Sequence, residues 1–231
     1  MMESVWATLV HVMAFANSTD APLLPTLAAQ QMWMHVAWAL VLAWVVATLL
    51  RRLKAEPWVA WGVAVALAMW LYLPGAYSPS YWLGLAFQAP SLTTAGLCGA
   101  ALLRMAGQPE QRVTHRRHGL TNTNAAMVAL VAMGIVTGWL LLLDTFAWLP
   151  GMQLYAWGFS SAAPAVLLLV ALLPWLVLGT SGMAFMVSVA IASAVAALFM
   201  VLHLPSGNAW DAVLDPWLWL ALHVWAWRLV R

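Results

Sequence analysis

Seven long apolar stretches, joined by short connections, take up most of the 231 residues: 32–50, 58–73, 81–103, 125–143, 159–178, 183–204 and 216–230. A helix needs roughly 20 apolar residues to cross a bilayer core of about 30 Å. In lipid, each backbone amide must be satisfied inside a helix or a closed barrel. Barrels read as segments of about ten residues with alternating polarity, and residues 32–50 show no alternation. The expected fold is therefore all-α, a polytopic transmembrane bundle of about seven spans. Composition argues against a water-facing alternative. The chain is 65% hydrophobic and 7% charged, against roughly 25% charged in a soluble domain, which is too little charge to clothe a soluble surface. The stretch 216–230 is short for a full crossing. It extends backward past Asp215, thins the bilayer locally, or inserts only in part.

Lysine and arginine accumulate on the cytoplasmic side of short loops, and their positions orient the chain. Arg51, Arg52 and Lys54 follow the first stretch, Arg104, Arg112, Arg116 and Arg117 the third, and Arg228 and Arg231 the last. With an odd number of spans all of them share one side, while Glu3, Asp20, Asp144, Asp211 and Asp215 fall on the other; only Glu56 and Glu110 join the basic residues. The amino terminus is then outside and the carboxyl terminus cytoplasmic, as in a multi-pass protein of a bacterial inner membrane. Residues 1–29 form an extracytoplasmic segment and residues 30–231 a single transmembrane domain. Within the former, residues 5–16 are apolar but too short to span. An interfacial helix suits them better than a signal peptide cleaved after Ala14-Phe15-Ala16, because the first residues carry Glu3 and no basic residue. The seventeen tryptophans fit the layout: Trp33, Trp58, Trp82, Trp148, Trp157, Trp210 and Trp217 lie near stretch ends, at the headgroup level that indoles prefer. Basic residues confined to loops set topology and do not build a nucleic-acid face. A lone cysteine, Cys98, excludes a cysteine-based zinc or iron-sulfur site held by this chain alone.

Polar groups inside the apolar stretches are costly and mark candidate chemistry. Met32 and His35 are three residues apart, as are Met200 and His203, a spacing that puts both members of a pair on one helix face. Thioether and imidazole together suit Cu(I), so Met32, His35, Met200 and His203 are the candidate metal ligands. Histidines on facing helices also hold b-type haem, for which His35, His203 and His223 are the candidates. The structural alternative is a histidine bonded to a neighbouring helix or to interfacial water.

The run Gln88-Ala89-Pro90-Ser91-Leu92-Thr93-Thr94 offers a second candidate. Proline in mid-helix removes a hydrogen bond and leaves a kink with a free carbonyl. Polar groups beside such a break build solute sites near the midplane, which makes Gln88, Ser91, Thr93 and Thr94 the candidate transport pathway. Serine and threonine equally serve to satisfy freed backbone. Gly134 and Gly138 form a GxxxG that marks internal packing or a homodimer contact. His115-Arg116-Arg117-His118 reads as a topology-setting basic cluster, and residues 121–124 as an N-cap. Asp215-Pro216 reads as an N-cap followed by proline in the first turn, although Asp144, Asp211 and Asp215 could also gather at one outer opening.

There is no Walker A loop, HExxH or Gly-x-Ser-x-Gly. The reading is a membrane protein without catalytic machinery: an accessory or assembly subunit of a complex, handling haem or copper at the outer face. A small-solute transporter or channel using the Pro90-kinked span is the alternative. An intramembrane enzyme at the outer face, built on the three aspartates and a histidine, is a further one. The partners implied are the lipid bilayer, other membrane subunits, or a second copy.

Overall fold

Apolar residues without alternation form helices here because a helix satisfies its own backbone. The computed structural model describes residues 22–107, 122–178 and 183–230. Among them there are ten α-helices, one 3-10 turn and no strand. We number the helices α1 (Leu27–Arg52), α2 (Pro57–Leu71), α3 (Pro79–Phe87), α4 (Leu92–Gly107), α5 (Asn122–Thr145), α6 (Leu154–Trp157), α7 (Ala163–Leu178), α8 (Met183–Leu202), α9 (Ala209–Val213) and α10 (Pro216–Val230). The expected interfacial helix at 5–16, the basic cluster at 115–118 and the capping side chains at 121–124 lie outside the described residues.

Two helices are long and apolar enough to cross a membrane. They are α1, with 26 residues and a mean hydropathy of 1.9, and the Ala125–Thr145 part of α5, with a mean hydropathy of 2.4. Only 22% and 11% of these windows are buried inside the protein, so most of their side chains lie outside the core. That pattern suggests a membrane as their solvent. Pro57–Leu71, Leu92–Gly107, Ala163–Leu178 and Met186–Leu202 are apolar but shorter.

Helix ends follow local chemistry. The Thr26 hydroxyl accepts the Ala29 N–H at 3.2 Å and starts α1, and Arg51 and Arg52 close it at the negative end of its dipole. Pro57, Pro79 and Pro216 open α2, α3 and α10 in the first turn, where a missing N–H costs nothing. Asp215 accepts the Leu218 N–H at 2.8 Å, the cap that its place before Pro216 predicts.

The chain divides into two compact units, residues 26–119 and residues 1–25 with 120–231. In the first, α1 packs along α2 and α4. Its core is Trp38, Ala39 and Leu71, with Met34, Val41, Leu42, Leu67, Ala68 and Leu83 around them. Gly84 of α3 lies under the Met34 thioether, which a Cβ there would push aside. In the second unit α5 packs on α7 and α10, and α7 on α8. Gly134 and Gly138 make the α5–α10 contact. Leu222 covers the first and the Trp219 indole the second, so this GxxxG face is filled by the chain's own last helix.

The stretch 81–103 is not one kinked helix. Its helix ends at Phe87 and resumes at Leu92. Gln88 has φ 62° and ψ −168°, a conformation nearly restricted to glycine. Proline alone explains a kink. The full break also depends on what the intervening carbonyls find to bond, which the next section describes. In the stretch 159–178, regular α7 begins at Ala163.

Candidate functional site

The break between α3 and α4 frees backbone carbonyls within an apolar unit, where an unpaired carbonyl is expensive. Two indoles of α1 cap them. The Trp38 Nε1–H donates to the Gln88 carbonyl at 3.0 Å and the Trp33 Nε1–H to the Pro90 carbonyl at 3.0 Å. Ser91 then caps α4: its hydroxyl oxygen accepts the Thr94 N–H at 3.0 Å, and its hydroxyl donates to Thr94 Oγ1 at 2.9 Å. Of the four pathway candidates, Ser91 and Thr94 are therefore buried against each other. Thr93 is half-buried, and the Gln88 side chain is exposed. Trp33 and Trp38 are the residues that sequence reasoning passed over here, having assigned Trp33 to anchoring.

The candidate ligands fall in separate units. Met32 and His35 lie in the first, and Met200, His203 and His223 in the second. Inside α1, Met32 is exposed and the His35 ring stacks on Tyr72 at 5.8 Å. The Nδ1–H of His35 donates to the Gln31 carbonyl at 2.6 Å, one helical turn back. His223 repeats that arrangement, with Nδ1–H on the Trp219 carbonyl at 2.8 Å. Since a carbonyl can only accept, this bond fixes the proton on Nδ1 and makes Nε2 the lone-pair nitrogen. Trp219 itself donates to the Ile135 carbonyl at 3.1 Å and meets His223 edge-on at 4.8 Å. His203 is different. It lies one residue beyond the end of α8 with φ 54°, so the helical spacing that would align it with Met200 stops before it. Among the described residues, no three His, Cys, Asp or Glu side chains converge as a metal set.

A third polar cluster belongs to the loops of the second unit. Asp144, at the end of α5, accepts the Tyr155 N–H at 2.8 Å. Asp211 accepts the Tyr155 hydroxyl at 2.9 Å and the Ser206 hydroxyl as well. Two of the three aspartates thus meet on one tyrosine, while Asp215 caps α10. Burial, then the Asp211 charge, then its hydrogen bond hold the Tyr155 hydroxyl well above its ordinary pKa. Asn208 is completely buried and ties the loops together. Its amide donates to the Tyr155 carbonyl at 2.8 Å, and its oxygen accepts the Trp210 N–H at 2.9 Å. Trp210 in turn donates to the Leu154 carbonyl at 2.7 Å, and the Ala209 N–H to the Gly158 carbonyl at 2.9 Å. Tyr155, Ser206, Gly158 and Asn208 carried no local signal of these contacts.

No protein-family model matches this chain, and no curated protein or solved structure matches it significantly.

Proposed function

We propose that the chain is a multi-pass protein of a bacterial inner membrane, with seven apolar segments embedded, its amino terminus outside and its carboxyl terminus cytoplasmic. In this reading it is a non-enzymatic accessory or assembly subunit of a membrane complex and handles haem b or Cu(I) at the outer face. Two helices that are long, apolar and little buried support the membrane, and the one-sided lysines and arginines support the orientation. The observation that carries the cofactor is common to His35 and His223: each commits its Nδ1–H to a carbonyl. Histidines that ligate a metal are oriented in this way, with the second ring nitrogen as donor. Met32, His35, Met200 and His203 are the proposed Cu(I) ligands, and His35, His203 and His223 the proposed haem ligands. The protein purified from membranes should carry copper by metal analysis or a haem absorption band, and His35→Ala or His203→Ala should lower it. Finding neither cofactor, with both variants unchanged, would defeat this reading.

A second reading, a small-solute carrier or channel, is favoured by Gln88. A strained backbone is retained where surrounding structure imposes it, and such positions cluster at functional sites. Here the strain presents an exposed amide side chain at a helix break. With Ser91, Thr93 and Thr94 it would line the pathway. Gln88→Ala and Thr93→Val should then fail to restore an uptake defect in a deletion strain, while the protein remains in the membrane. Full restoration by both would remove the carrier.

A further inference from the structure

From residue 57 to residue 103 the chain contains no aspartate, glutamate, lysine, arginine or histidine, although it turns back once and breaks once within that length. We propose that α2 and the α3–α4 pair form a re-entrant hairpin. Both legs open on the side of Arg51, Arg52 and Arg104, and the turn at residues 72–80 rests in lipid at the acyl–headgroup boundary without reaching the opposite aqueous phase. The proposal rests on the membrane reading above and refines it: these two segments enter and leave on one face and add no net crossing.

The first support is register. α2 has 15 residues, about 22 Å at 1.5 Å per residue, short of a core of about 30 Å. Its last residue, Leu71, packs on Trp38 and Ala39 of α1. Trp38 stands eleven positions past Leu27, where α1 begins (38 − 27), so α1 continues about 16 Å beyond the end of α2. The 26 residues of α1 reach about 39 Å, about 9 Å more than the core, so the turn stops roughly 7 Å inside the far edge of the hydrocarbon, next to the acyl–headgroup boundary.

The second support is hydrogen bonding. Non-helical backbone at membrane depth survives only where its polar groups are satisfied by protein or by a watery cavity. This turn satisfies several of its carbonyls from within. The Ser78 and Ser80 hydroxyls donate to the Leu71 carbonyl at 2.6 and 3.1 Å. The Trp70 indole donates to the Tyr77 carbonyl at 3.0 Å, the Trp82 indole to the Ala76 carbonyl at 2.9 Å, and the Ser78 N–H to the Gly75 carbonyl at 3.1 Å. The loops of the other unit instead use the carboxylates of Asp144, Asp211 and Asp215, groups that suit a water-facing surface. The third support is what the turn shows outward. Tyr77 and Tyr72 are 80% and 55% exposed, and amphipathic rings of this kind favour the acyl–headgroup boundary.

Single cysteines placed in a Cys98→Ala background test the proposal in sealed membrane vesicles of known orientation. Ala76→Cys and Tyr77→Cys report the turn, and exposed Gln153→Cys and Lys54→Cys report the two aqueous faces. A charged maleimide should label Gln153→Cys from one side and Lys54→Cys from the other. It should label both turn positions more than about tenfold more slowly from either side, because a charged probe enters hydrocarbon at a steep cost. A lipid-soluble maleimide should label the turn faster than the charged one does but more slowly than the aqueous positions, because only the thiolate adds and an apolar environment keeps the thiol protonated. Turn positions that react with the charged reagent as fast as Gln153→Cys, from the same side, would overturn the hairpin and leave the membrane reading standing. Turn positions that react with neither reagent would place the turn inside protein and also overturn it. Gln153→Cys and Lys54→Cys reacting from one and the same side would bring down the topology beneath both proposals.

Discussion

Gly158→Ala tests the packing of the polar loops most cleanly. Gly158 has φ −60° and ψ −15°, which any residue adopts, so the substitution carries no backbone strain. Its cost comes from contact alone. A Cβ there collides with Asn208 Oδ1 and with the Trp210 ring, and stands 2.8 Å from Asn208 Cγ. Neither neighbour yields easily, since Asn208 is fully buried and bonded to Tyr155 and Trp210, and Trp210 is held by the Leu154 carbonyl. Displacing Asn208 forfeits two hydrogen bonds and strands buried partners, about 3 kcal/mol in all. Asn208→Ala loses the same bonds and should cost about 2–3 kcal/mol. The double variant has no Asn208 side chain left to displace. The Trp210 ring still meets the new Cβ, so the double variant should cost about 1 kcal/mol more than Asn208→Ala, with a coupling of about 2 kcal/mol in the double-mutant cycle. Reversible unfolding in mixed micelles, followed by far-UV circular dichroism, measures all four proteins. A Gly158→Ala protein within about 0.5 kcal/mol of the parent, the range of an indifferent surface change, would refute the reasoning, as would strict additivity.

Gln88→Gly should stabilise the protein by about 1 kcal/mol, because glycine relieves a conformation that costs other residues about 1–3 kcal/mol; a net loss in the same unfolding assay would show that the side chain outweighs the strain. Gly138→Ala should cost about 1–3 kcal/mol and more than Gly134→Ala, since the Trp219 ring it meets is tied to Ile135 while the Leu222 methyl group can rotate away. Equal costs for the two would contradict the α5–α10 packing. The raised pKa of Tyr155 makes folding bind the proton more tightly than the unfolded chain does. Its contribution is whole below the ordinary value of 10.0 and is lost as pH rises through the folded value. Tyr155→Phe should flatten that alkaline decline, and an unchanged pH profile would count against the Tyr155–Asp211 contact.

Features encoded within one turn of chain were legible in the sequence. Apolar runs without alternation became helices, proline at 57, 79 and 216 began them, and Asp215 capped the last. What escaped depends on residues far apart. Pro90 announces a disturbance, but a complete break needs Trp33 and Trp38 to reach carbonyls 57 and 50 positions away. Nothing in the neighbourhood of either tryptophan distinguishes such an indole from one at the membrane surface. Tyr155 likewise gains its role from Asp211, 56 positions on, and the amide of Asn208 from the Tyr155 carbonyl 53 positions back. The pairing of Met200 with His203 by helical spacing presumed a helix that in fact ends at Leu202.

The sidedness of the two chain ends tests the central claim most directly. With the hairpin adding no net crossing, the proposed topology still has an odd number of crossings. A reporter active only in the cytoplasm, fused after Arg231, should be active, and a tag at the amino terminus should be accessible from outside. A carboxyl-terminal reporter active only beyond the membrane would contradict the account.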